Sequence, residues 1–285
     1  MSEAMTTVRQ GSTRRPAAGR LRRRTVGLAE KLPAFVVAAV GWQIGARALD
    51  SPFLPPLSAI AERFVADWFT NSPGSAFFSE KFVDNALPTV GRLAAGWAVA
   101  AVVGVVLGFL IALLPRVGAA TDPLVRLGMA VPPPALLPLA IVLFGLGSSM
   151  KVFLIAFGAM WPVLVNTIAG VRDIDPQIVA SVRALRIDPV RAFFLVRLPA
   201  ASPLIFAGLR TSLGTALILV VVAELYASSS GIGFVIVNAQ RNFDVLGTWS
   251  GVLLLGLLGI VVNGLFLLVE HRVMRWHTES RRATQ

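Results

Sequence analysis

The chain has no cysteine, two histidines, one tyrosine and, among its 26 basic residues, only Lys31, Lys81 and Lys151 as lysines. Each shortage excludes something. Without cysteine there is no disulfide and no thiolate metal site, and the sequence says nothing of redox compartment. His271 and His277 both fall in the C-terminal tail, so no convergent set of acid, base or metal-binding groups marks a membrane enzyme. The lysines read Glu30-Lys31-Leu32, Glu80-Lys81-Phe82 and Met150-Lys151-Val152. None has the glycine before it and the Ser or Thr after it that a phosphate-binding loop requires. ATP is therefore not bound here in that way. Charge is scarce as well: 14% of the 285 residues are charged against 55% hydrophobic, and the mean hydropathy is +0.74. That is more apolar surface than a soluble domain of this size buries, and the chain belongs in a bilayer. No internal repeat is visible, which counts against a secondary transporter built from inverted halves.

What is present follows the same logic. The net charge of +11 lies in arginines at the ends of apolar segments and in the tails, without the aromatic interleaving of single-strand binders, so nucleic acid is not the partner. Residues 1–31 are polar and arginine-rich, and read as a disordered basic cytoplasmic tail. No small-residue cleavage site follows the first apolar run, which argues against a signal peptide. Six apolar stretches are candidates for spans, at about 32–49, 87–114, 123–144, 152–171, 203–226 and 248–269. Between the first two, Leu57, Ile60, Phe64, Val65 and Trp68 recur at helical spacing opposite Glu62, Arg63 and Asp67, which suits an amphipathic helix at the outer interface. The fold class is thus all-α, a polytopic membrane protein in contact with lipid. The positive-inside rule places both termini, including a tail at 271–285, in the cytoplasm, leaving Lys81, Lys151 and Arg241 almost alone outside.

Three local features stand out. Residues 172–199, between the fourth and fifth spans, form a polar island with two Asp-Pro pairs. Asp175-Pro176 and Asp188-Pro189 each supply an N-cap carboxylate and a proline at the first helical position, so two short helices are expected, the second ending at Leu198-Pro199. Ile178, Val179, Val182 and Leu185 would share one side of the first, and Val190, Phe193 and Phe194 one side of the second. VPPPALLP at 131–138 must break the third span, and Pro132, Pro133 and Pro134 mark a candidate translocation path. Glu224 is a carboxylate near the outer end of the fifth span, either a structural ion-pair partner or a path residue. Arg92 and Arg126 lie close enough to span ends to snorkel, and Arg210 is read as near the inner end of its span. Gly208, Gly214, Gly251, Gly256, Gly259 and Gly264 would allow close helix approach.

This arrangement, with FLPPLSAI at 53–60, AVPPPALLPLAIVLFGLG at 130–147, RLPAASPLIFAGLR at 197–210 and AELYASSSGIGFVI at 223–236, resembles the inner-membrane permease subunits of binding-protein-dependent ABC importers, and more narrowly the nitrate, sulfonate and taurine branch. The resemblance implies a permease domain over 32–270 that moves a small anion by alternating access. It also implies a second permease copy, separate ABC ATPase subunits that bind ATP and Mg, and an extracytoplasmic solute-binding protein. A permease for a heterocyclic vitamin precursor and an ATPase-independent carrier are the alternatives. The family's loop motif, Glu-Ala-Ala, then Gly, Ile and Leu-Pro, falls on Ala180, Ser181 and Val182, on Arg186, on Val196 and on Leu198-Pro199. Only Leu-Pro is kept. The glycine stands at a turn where a left-handed backbone is cheap for glycine and costly for arginine, so either the turn differs here or Arg186 has a role of its own. Docking to the ATPase would rest on Leu185, Phe193, Phe194 and the arginines Arg183, Arg186 and Arg191.

Overall fold

A computed structural model describes residues 32–69 and 77–274; the tails expected at 1–31 and, beyond residue 274, at the C-terminus lie outside them. The chain divides into a unit ending at Ala59 and a second beginning at Ile60. In the first, α1 (Leu32–Leu49) is tied to the segment that follows it, because Trp42 Nε1 donates to the Pro55 carbonyl at 3.1 Å and the Gln43 amide donates to Ser58 Oγ at 3.1 Å. The helix α2 (Leu57–Trp68) has the expected bounds. Its stripe is divided, for Ile60 and Trp68 are buried while Val65 is exposed. Trp68 is held within protein by a 2.9 Å hydrogen bond from its indole N–H to Ser250 Oγ, so the aromatic end of α2 is a core element as much as an interfacial one.

The second unit is built on α3 (Glu80–Leu113), α6 (Ser148–Arg172), α9 (Leu198–Tyr226) and α11 (Val245–Val273). Among the described residues these are the four helices long and apolar enough to cross a membrane, the third counted from Pro189 to Tyr226, and a bent pair at 115–144 makes a fifth if taken as one span. The apolar part of α1, Pro33–Leu49, is shorter. α3 begins well before residue 87, capped by Ser79, whose hydroxyl accepts from Phe82 N–H at 3.2 Å. α11 runs past 269 to Val273, so the first residues of the expected tail are helical.

The span expected at 123–144 is broken at the proline run, as expected, and its helical path starts earlier, at Pro115. It is α4 (Pro115–Ala130), a 3₁₀ turn at Pro133–Leu136 and α5 (Leu137–Phe144), with a bend of 88° between the halves. Proline has no N–H to donate and its ring meets the carbonyl four residues back, so the run at 132–134 stops α4 and starts a tighter turn. Close helix approach occurs at two of the expected glycines and also at others. A methyl group added at Gly96, Gly104 or Gly108 of α3 would collide with Ile155, Val163 or Thr167 of α6; with Ala100 these glycines form a ridge of small residues four apart that lets the two backbones meet. Gly208 is packed against Asn166 and Gly251 against Ile236, whereas Gly214, Gly256 and Gly264 have open space beside them.

Candidate functional site: the loop helices and the polar clamp

The polar island folds as two short helices, α7 (Pro176–Ala184) and α8 (Pro189–Ala192). Asp175 accepts from Gln177 N–H at 2.7 Å, and Asp188 accepts from Val190 N–H at 3.0 Å and Arg191 N–H at 3.2 Å, as the Asp-Pro pairs predict. Between the helices the turn keeps the geometry that glycine would favour. Arg186 has φ of 49°, Arg186 N–H donates to Arg183 O at 3.1 Å, and Ile187 N–H donates to Val182 O at 3.2 Å. That pair of bonds is the Schellman closure, with a left-handed residue just past the helix end. Of the two readings of Arg186, a different turn is thus excluded. An arginine held at positive φ costs about 1–2 kcal/mol relative to glycine. Arg186→Gly is expected to stabilise the folded chain by about 1 kcal/mol, read as a higher Tm in detergent; a lower Tm would mean that the guanidinium is held by something worth more than the strain.

The second helix does not end at Leu198-Pro199. A π-helical turn, Phe193–Arg197, joins α8 to α9, with Leu198 N–H donating to the Phe193 carbonyl five residues back. The wider turn takes up the proline ring without breaking the path, so Pro189–Tyr226 runs as one helical stretch. This turn also separates the two phenylalanines. Phe193 points inward, its ring 4.8 Å from that of Phe109, beside the cluster of Phe109, Val171, Ala201 and Ile205. Phe194 points out, 59% exposed, in company with Leu185 at 73% and Leu195 at 72%. The expectation that Phe193 and Phe194 share one docking side is therefore corrected: Phe194 belongs to the exposed face, and Phe193 is half-buried against the core. A cleft of about 590 Å³ lies between the two helices, bordered by Val182, Arg183, Arg186, Ile187 and Arg197. Ala180, Ser181 and Arg191 are also exposed, and among the described residues Arg183, Arg186 and Arg191 form no ion pair. Leu198 and Pro199 are half-buried at the root of α9.

At the other end of α9 the charges are consumed internally. Glu224 is 1% exposed, and its Oε1 lies 2.6 Å from Arg92 Nη1. Arg92 is buried rather than snorkelling; it also donates from Nη1 to Ser230 O at 2.8 Å, from Nη2 to Ser230 Oγ at 2.8 Å and from Nε to Ser148 Oγ at 3.2 Å. Thr89 Oγ1 donates to Glu224 Oε2 at 2.9 Å and accepts from Ile232 N–H at 3.0 Å, while Gly233 N–H reaches the same Oε2 at 3.1 Å. The result is a clamp that ties α3, α6 and α9 to the start of α10 (Ile232–Arg241). It satisfies both charges, as a buried ion pair must be to persist. Of the two roles open to Glu224, the geometry supplies the pairing. Gly231, at φ of 122°, lies so close that a side chain there would overlap the Glu224 carboxylate. Gly231→Ala is expected to lower the yield of folded protein several-fold, whereas Gly214→Ala, with open space around it, leaves yield unchanged; equal yields would contradict the clamp. Nothing in the local sequence pointed to Arg92 as the partner, since 132 residues separate the pair.

Pro133 packs against Gly158 of α6, so the broken span is wedged into the bundle at that proline, while Pro132 and Pro134 are exposed. Arg126 stays exposed and pairs with Asp122 on its own helix at 2.8 Å. Among the described residues no group of His, Asp and Glu is placed to hold a metal.

Residues 104–275, which hold the loop, the broken span and the clamp's carboxylate, match the model of the binding-protein-dependent transport system inner membrane component. The chain belongs to this family of membrane permeases. It is a component of ABC importers and a multi-pass membrane protein. Among its relatives, the putative aliphatic sulfonates transport permease protein of Bacillus subtilis (strain 168) is 34% identical over 66% of this chain and 68% of its own length. The taurine transport system permease protein of Escherichia coli (strain K12) is 27% identical over 86% of this chain and 88% of its own. In fold, the permease is similar to a chain of the inward-facing MetNI methionine ABC transporter, with a TM-score of 0.59 at 17% identity, covering 69% of this chain and 98% of that one.

Proposed function

We propose that this permease carries a small organic sulfonate inward by alternating access, driven by a separate ATPase that seats on α7 and α8. The observation that supports it most is the continuity of Pro189–Tyr226: the exposed loop helix and a membrane-crossing helix are one element. A displacement of the loop is then a displacement of the span, with no flexible joint to absorb it. The exposed Leu185, Phe194 and Leu195, flanked by the free Arg183, Arg186 and Arg191, give a partner both apolar area and charge to grip. On this reading the chain binds no cofactor itself; the ATPase binds ATP and Mg. The loop and both termini face the cytoplasm, in accord with the arginine distribution. A second copy completes the path, the bend at 132–134 borders it, and an extracytoplasmic binding protein supplies the substrate. The sulfonate class is supported by the two relatives above. Deleting the gene in the native host is expected to reduce uptake of radiolabelled taurine and ethanesulfonate to background, with recovery on complementation. Unchanged sulfonate uptake would refute the substrate, and loss of uptake of a heterocyclic vitamin precursor instead would reassign it.

A further inference from the structure

Arg210 lies well inside α9 rather than at its first turns. Counted at about 1.5 Å per residue, it lies roughly 18 Å along α9 from Leu198 and roughly 24 Å from Tyr226. The helix is then roughly 43 Å long against a hydrocarbon core of about 30 Å, so Arg210 falls roughly 5–18 Å inside the core's inner edge, according to where along α9 the core lies. On α11, which runs the other way, Asn263 lies at a matching depth, roughly 15 Å from Val273. The Arg210 side chain is exposed and, among the described residues, has no hydrogen bond or ion pair. A guanidinium facing lipid at that depth is costly, and charged side chains within spans face water-filled cavities or partners instead.

The two grooves bordered by α9 and α11 differ in kind. One, of about 430 Å³, is lined only by apolar residues such as Leu93, Trp97, Phe206, Leu265 and Phe266, and suits a hydrocarbon chain. The other, of about 380 Å³, holds Arg210, Thr211, Gly214, Leu217 and Asn263. Arg210 brings five guanidinium N–H donors and Asn263 an amide, the Thr211 hydroxyl already donates to Ala207 O at 3.1 Å, and no carboxylate is among the lining residues. We propose that Arg210, with Asn263, forms a water-filled anion station along the translocation path, where the oxyanion head of the substrate pauses between the outer and inner openings. A sulfonate, with three acceptor oxygens and one delocalised charge, matches that donor set. This rests on the reading of the chain as a sulfonate permease, and gives it a residue-level basis for preferring anions.

The absence of cysteine allows a direct test in membrane vesicles carrying the full chain. Gly214→Cys places a thiol one turn from Arg210, in open space; Leu265→Cys places one in the apolar groove. The probes are the sulfonatoethyl and trimethylammonioethyl methanethiosulfonates, each rate divided by that with a free thiol. Gly214→Cys is expected to react, faster with the anionic probe, and Leu265→Cys with neither. Adding Arg210→Gln should cut the anionic-to-cationic ratio about tenfold, and Arg210→Lys should keep it. No reaction at Gly214→Cys with either probe, the result for a dry contact between copies, overturns the proposal, as does a ratio indifferent to Arg210→Gln. These rates are read whatever the complex transports, so failure here is separable from failure of the taurine uptake assay.

Discussion

Arg92→Gln is expected to lower the Tm of the purified permease by roughly 6–20 °C and to remove most of the folded protein from the membrane. Two figures set that size. Taking away one partner of a buried ion pair costs about 3–5 kcal/mol, because the other charge is left without compensation. For a chain of this length each kcal/mol shifts Tm by roughly 2–4 °C. The Glu224 carboxylate, 1% exposed, would keep only Thr89 and the Gly233 N–H, and Ser230 and Ser148 would lose their donor. Arg92→Leu combined with Glu224→Leu should recover part of the loss, since the ion pair is removed whole and the buried charge that remains is Lys151, 2% exposed and within electrostatic reach of both positions. Thermal unfolding followed by size-exclusion chromatography measures all three proteins. A Tm for Arg92→Gln within 3 °C of the parent would mean that water reaches the clamp.

The adjacent phenylalanines of the π turn are expected to part company under the same substitution. Phe194→Asp leaves Tm and membrane insertion near those of the parent, because the side chain it replaces is 59% exposed. It should nonetheless abolish retention of the ATPase in a pull-down, since it puts a negative charge at the centre of the apolar docking face. Phe193→Asp should act the other way, on the fold. Its ring rests on Phe109 at 4.8 Å, half-buried against the core, so its loss costs part of the roughly 3–5 kcal/mol of a fully buried aromatic, and a charge is then set in its place. Pull-down yields must therefore be normalised to folded permease. ATPase retained at parental levels by Phe194→Asp would show that the partner grips some other surface.

How far the sequence reaches is clear from these elements. The Asp-Pro pairs state their own outcome, because an N-cap and a first-position proline act within four residues. The proline run at 132–134 is legible for the same reason, although its effect, an 88° bend, is larger than a count of apolar residues suggests. Arg92 and Glu224 were each visible as charges near span ends, but nothing local distinguishes a snorkelling arginine from one that meets a carboxylate 132 positions away. Phe193 was assigned to the wrong side because a 3.6-residue period was carried through a turn that is wound more widely. A span started at residue 203 puts Arg210 near the inner end, whereas the helical path begins at Pro189 and leaves more helix on the inner side of it. Arg186 was read from the motif it breaks, and its φ of 49° shows that the turn's geometry outlasted the glycine.

The claim that organises these observations is that the loop receives work from another subunit and passes it along one continuous helix. Proteoliposomes containing the purified permease, with and without its ATPase and binding protein, test it through the energy source for taurine uptake. Uptake that requires all three components and internal or external ATP on the loop side, and that is lost with Phe194→Asp, is the expected result. Uptake by the permease alone, driven by an ion gradient and indifferent to ATP, would contradict it.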